Sequence, residues 1–172
     1  MSQNDAPVAG HEGAPIEGVF SVHRVTFFNA DTHYGVVHLI PSDASTTVGF
    51  AAVGTFPAEP RTGECYRIAG VWRRDARHGL QVRASSIERE TPRSVTAIER
   101  YLAGASIKGL GPHYAHALVA HFGADTFRVL QEGGARLEEV PGIGPVRAAE
   151  IRESWAEHEG IHDLMVNLQG VA

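Results

Sequence analysis

The residues of this chain best suited to chemistry are glycines. Ile107-Lys108-Gly109-Leu110-Gly111-Pro112-His113-Tyr114-Ala115 and Val140-Pro141-Gly142-Ile143-Gly144-Pro145-Val146-Arg147-Ala148 share one pattern: apolar, any, Gly, apolar, Gly, Pro, two variable positions, Ala. The second copy stands 33 residues after the first (107 to 140), and a phrase repeated at one spacing marks duplicated structure. Each position has a physical task. Glycine permits the positive φ or close backbone approach that a tight bend between helices requires. Leu110 and Ile143 are expected to turn inward and seal the helices together. Pro112 and Pro145 suit a first helical turn, where a missing N–H costs nothing. Ala115 and Ala148 are small enough for the second helix to lie close. A helix resumed after such a bend aims free N–H groups and its positive dipole end outward, which attracts a phosphate oxygen without side-chain charge. The candidate phosphate-holding residues are therefore Gly142, Ile143, Gly144, Val146 and Arg147 in the second copy. In the first they are Lys108, Gly109, Gly111, His113 and Tyr114.

Other groups are weaker candidates. Arg73, Arg74 and Arg77, with Arg83, form the densest basic group and sit on an expected hairpin. They read either as a phosphate-tracking edge or as a solvated turn. Phe27, Phe28, Tyr34, Tyr66 and Trp72 could stack on unpaired bases, although alternation sets Tyr66, Ile68 and Trp72 on a side that also looks like core. His113, His116 and His121 are close in sequence, but there is no cysteine partner and no H-E-x-x-H phrase, so no metal is expected. Cys65 is the single cysteine, which excludes an internal disulfide. No G-x-x-x-x-G-K-[ST] occurs, so neither a helicase-type ATP site nor a cofactor or catalytic residue is expected.

Two regions must position these residues. From Ile16 to about Arg89 apolar and polar residues alternate, and five short strands are expected: 16–28, 34–41, 46–54, 64–75 and 79–89. Five strands without helix-length gaps suggest a small Greek-key barrel of the OB type. After Pro92 and Ser94 the period changes to helical, with Val95, Ile98, Tyr101 and Leu102 expected on one face. Trp155 is expected beneath the second hairpin. The expected fold is thus α+β in two subdomains: a five-stranded OB-type barrel, then an all-α domain with two hairpins. The boundaries read as a polar disordered leader at 1–15, the barrel at 16–90, the helical domain at 91–160, and the start of a further helix or a tail at 161–172.

Bulk properties narrow the function. The 172 residues carry a net charge of −5, which argues against coating nucleic acid by bulk positive field. Residues 91–160 hold seven basic and nine acidic side chains, so any DNA contact there must rest on local geometry. No apolar run is long enough for a bilayer and no secretory signal is apparent, which makes the cytoplasm the default compartment and excludes a membrane partner.

The glycine phrase is the helix-hairpin-helix signature, and two in tandem resemble the paired unit of sequence-independent DNA-binding proteins. In that family a basic side chain downstream of the bend aids the grip; Arg147 matches that place, while the first copy offers only Lys108 before its bend. Together "GVFSVHRVTFFNADTHYGVVHL", "AVGTFPAEPRTGECYRIAGVWRRDARHGLQV" and "TPRSVTAIERYLAGASIKGLGPHYAHALVAHFG" resemble the N-terminal region of RecD-like bacterial ATP-dependent DNA helicases. The resemblance covers about residues 16–168 and implies a non-motor module for DNA repair or recombination. It would bind single-stranded or junction DNA without sequence preference beside helicase motor domains. The rival reading is a protein-interaction scaffold that docks on motors or a repair partner without touching DNA.

Overall fold

A computed structural model describes residues 10–43, 48–105, 107–132 and 135–158. The expected leader up to residue 9 and the expected further helix or tail from 161 onward lie outside them. The chain divides into two compact units, Met1–Glu90 and Thr91–Ala172.

The first unit is a closed five-stranded barrel with strand order β1-β2-β3-β5-β4. The strands are β1 (Pro15–Phe28), β2 (Tyr34–Pro41), β3 (Phe50–Thr55), β4 (Cys65–Asp75) and β5 (Gly79–Glu90). This is the OB-type barrel expected, and four strands fall within a residue of their expected limits. The exception is β3, expected from residue 46 but beginning at Phe50. Before it, a Cβ on Gly49 would lie 1.8 Å from the Leu39 carbonyl oxygen, so the chain there presses against the β2 backbone instead of extending the ladder.

Closure depends on the long β1. Its first half pairs with β4 and its second half with β2. Two register shifts, at Val22/Arg24 and Val25/Phe27, coil the second half. A further shift at Ala69/Gly70 bends β4, where a Cβ on Gly70 would lie 2.3 Å from the Arg83 carbonyl oxygen. Only glycine admits that approach. The parallel join of β3 to β5 closes the ring through Ala52↔Val82 and Val53↔Arg83.

Alternation fills the interior with Phe20, Val22, Val37, Leu39, Phe50, Phe56, Tyr66, Ile68, Trp72 and Val82. A buried carboxylate stands beside them. Glu64 is buried, accepts from the Tyr66 hydroxyl at 2.8 Å, and pairs with Arg89 at 3.5 Å. Burial, then the Glu64 carboxylate, pushes the Tyr66 phenol well above its ordinary range, so it stays the donor. The barrel also claims the last residues of the expected leader. Gly13 donates to the Trp72 carbonyl and Trp72 donates to that of Ala14.

The second unit contains α1 (Val95–Gly104), α2 (Pro112–Phe122), α3 (Thr126–Gln131) and α4 (Pro145–Glu157). A 3-10 turn, Ala135–Glu139, leads into the second hairpin. The Ser94 hydroxyl caps α1 by accepting from the Ala97 amide at 3.1 Å. Ile98, Tyr101 and Leu102 are buried as expected. Val95 is 47% exposed instead, because it sits in the first turn at the end of the helix, and Ala97 faces inward with the others. The core includes Leu118, Leu137, Ile151 and Phe127, and the Phe127 ring lies against Tyr101 and Trp155.

Candidate nucleic-acid interface

The two glycine phrases fold alike. In the first, the Leu110 amide donates to the Ile107 carbonyl at 3.0 Å and Gly109 has φ +84°. In the second, Ile143 donates to Val140 at 3.0 Å and Gly142 has φ +92°. Both are four-residue turns with positive φ at the third position, and Pro141-Gly142 is the pair such a turn favours. Ile107, Leu110, Val140 and Ile143 are all buried and staple the bends to the core.

Gly111 and Gly144 then start the helices. Their backbones match, at φ −83°, ψ −173° and φ −95°, ψ −174°. Proline follows each at the first helical position, and neither N-cap supplies a side-chain hydrogen bond. The first helical amides used internally are those of Ala115, to Gly111 at 2.8 Å, and Ala148, to Gly144 at 2.9 Å. Among the described residues, the amides of His113, Tyr114, Val146 and Arg147 therefore have no acceptor. Val146 is 78% exposed, and Gly111, His113 and Gly144 are exposed too. Each tip offers a pair of free donors at a helix N-terminus, the arrangement that binds an anionic oxygen.

Gly111 and Gly144 do not need to be glycine for the fold. Neither has positive φ, and a Cβ on either would meet nothing within 4 Å. The vacant space lies beside the free amides. Gly109 and Gly142, by contrast, are held to glycine by their own φ.

Residues 16–92 match the OB-fold domain of the ATP-dependent DNA helicase YrrC, and residues 101–157 match the SAM-like helix-hairpin-helix tandem. This order fits the N-terminal region of a helicase. A DNA ligase from Dichelobacter nodosus (strain VCS1703A) is 38% identical over 64 residues, covering 37% of this chain and 9% of the ligase. The chain thus spans less than a tenth of the length of that relative. The OB and helix-hairpin-helix domains are non-catalytic binding domains, and together they point to a nucleic-acid-binding module.

Within the tandem, the side chains take roles that sequence reading missed. The Arg147 guanidinium lies 4.1 Å over the Tyr114 ring and donates to the Gly109 carbonyl at 3.2 Å. Tyr114 in turn reaches toward Gly142, its Cε1 3.5 Å from where a Cβ would stand. The signal was present: Tyr114 and Arg147 occupy the same slot of the repeat. Lys108 keeps an exposed side chain, while its amide donates to the Ser154 hydroxyl at 2.9 Å. The equivalent slot in the second copy is Pro141, so neither bend offers a donor there. Acidic groups also stand near the tips. Glu150 flanks Gly109, and Glu138 is exposed beside the second bend. Glu139 is engaged by Arg136 at 3.2 Å and His121 at 3.3 Å, and these bonds, Arg136 first, hold its carboxyl below the usual range. His116 faces Glu99 at 3.1 Å.

In the OB domain the expected aromatic set separates. Phe27 and Tyr34 are exposed at 50% and 44% beside the turn between β1 and β2. Tyr66 and Trp72 belong to the interior, where closure of the barrel puts Tyr66 against Phe56 and Trp72 against Phe50. They cannot stack on bases. Arg73, Arg74 and Arg77 are exposed at the end of the β4–β5 hairpin. Arg74 is 3.8 Å from Glu12, and the Asp75 carboxylate accepts from the amides of Arg77 and His78. No helix among the described residues is long and apolar enough to cross a membrane.

Proposed function

We propose that this chain binds DNA without sequence preference, through main-chain donors at the two hairpin tips. The observation that carries the reading is the pair of bare N-caps. Gly111 and Gly144 adopt ordinary extended backbone with open space where a side chain would stand, so the fold does not require glycine at either position. A ligand backbone approaching the adjacent amides gives a reason for it. The His113 and Tyr114 amides would take one phosphate, and those of Val146 and Arg147 another. Lys108 adds an exposed charge beside the first. The similarity to DNA helicase and DNA ligase sequences supports DNA as the polymer. In the OB domain, the exposed Phe27 and Tyr34 are candidates to stack on unpaired bases, and Arg73, Arg74 and Arg77 are a separate candidate phosphate contact. The module would act beside helicase motor domains, as the RecD-like resemblance implies.

Replacing Gly111 and Gly144 by serine tests the reading. Serine is a good N-cap, and its hydroxyl accepts from the amide of the second or third helical residue. It would satisfy the donors that DNA needs. The melting temperature should hold or rise slightly, while affinity for a labelled junction or single-stranded DNA at low salt falls at least tenfold. Unchanged affinity in the double variant would remove the tips from the interface. Wild-type binding should also weaken steeply with salt. A wild-type chain that binds no DNA even at low salt would favour protein docking instead.

A further inference from the structure

Resting on that reading, the geometry points to a specific task for Tyr114 and Arg147: we propose that they form a latch that sets the two phosphate cradles at one separation, so that they engage DNA as a single rigid unit. Both residues are the third of their helices, and the main-chain amide of each is a free donor of its own cradle. Their side chains point the other way, toward each other. The guanidinium covers the Tyr114 ring at 4.1 Å and donates to Gly109 of the opposite bend at 3.2 Å, while the ring edge closes on Gly142. The contacts are reciprocal: each third-position side chain reaches the positive-φ glycine of the other hairpin. Arg147 is part-buried in this arrangement, and its charge serves the Gly109 carbonyl and the ring, as a cation over an aromatic face does. It is a positioning residue; its amide, and not its side chain, meets phosphate.

A direct phosphate contact and a latch make opposite demands on the side chain. Lysine can contact phosphate but lacks the planar fork for stacking. The full chain and its variants Arg147→Gln, Arg147→Lys, Tyr114→Leu and Tyr114→Leu/Arg147→Gln would be measured for junction-DNA affinity across a salt series, well below their melting temperatures. The latch predicts that each single variant, Arg147→Lys included, weakens binding by about tenfold. The double variant should be no weaker than either single one. The slope of log affinity against log salt should not change. The proposal is overturned if Arg147→Lys retains affinity, if Arg147→Gln lowers that slope by about 0.9 as loss of one phosphate contact does, or if Tyr114→Leu has no effect. A merely structural role would shift melting temperatures and leave affinity intact, which also overturns it. Failure of the wild type to bind DNA is a separate result; it removes the DNA reading and the latch with it.

Discussion

The two hairpins have nearly the same backbone and quite different side chains. Their turns agree within 8° in the φ of the third residue (+84° and +92°), and their N-caps agree within 12° in φ and 1° in ψ. Yet the variable slots hold Lys108, His113 and Tyr114 in one copy and Pro141, Val146 and Arg147 in the other. What is common is what main-chain donors need: buried staples, positive-φ glycines and bare caps. What differs is what faces the neighbour. Two copies with tyrosine in the third helical slot would have no cation to place on the ring, and two with arginine would face like charges. The divergence has made the repeat complementary to itself.

That comparison can be broken at several levels. The largest effect is expected at the staples. Leu110→Ala and Ile143→Ala should each cost about 2–5 kcal/mol in urea unfolding, with similar values because both side chains are almost wholly buried. A cost at only one of them would show that the hairpins are not equivalent parts of one core. Next come the bends. Gly109→Ala and Gly142→Ala force a Cβ into positive φ, at about 1–3 kcal/mol. Gly109 should be the worse, since its Cβ would lie 3.3 Å from both Glu150 Oε1 and Ile151 Cγ1, whereas that of Gly142 meets only Tyr114 at 3.5 Å. The reverse order would mean that the bends differ more than their dihedrals imply.

The smallest effect concerns charge at the entry to the second hairpin. Folding lowers the Glu139 carboxyl from its ordinary value of 4.5. A lowered carboxyl stabilises the fold above its unfolded value, and that contribution disappears as pH falls through the folded one. Thermal melts of wild type and Glu139→Gln should therefore differ slightly at pH 7 and converge in acid below 4.5. A difference that grows in acid would contradict the pairing with Arg136 and His121.

Much of this fold was legible because its periods are short. Residues two apart decide a strand face, and residues three or four apart decide a helix face. The β2 run from Tyr34 to Pro41 and the Ile98–Leu102 face follow from such local rules. Ile107, Leu110, Val140 and Ile143 were legible through the repeat. Long-range pairing was not. The repeat sets Tyr114 and Arg147 in the same slot, but that the guanidinium lies over the ring depends on how the two bends pack. Barrel closure likewise decided the fate of Tyr66 and Trp72. Alternation told that they share a side, and only the completed ring turned that side inward. The β3 start was misjudged for a similar reason, since the approach of Gly49 to Leu39 is a contact between strands.

The parallel join between β3 and β5 has a consequence for how the barrel behaves as an object. Every other neighbouring pair is antiparallel, with six or more registered partners, whereas this seam is registered at two positions drawn from chain segments 30 residues apart (52 and 82). Such a join is held by fewer paired residues than any other seam of the barrel. The ring should therefore part first there when it breathes. Amide exchange would report this as faster turnover along the β3–β5 seam than along the β4–β5 ladder.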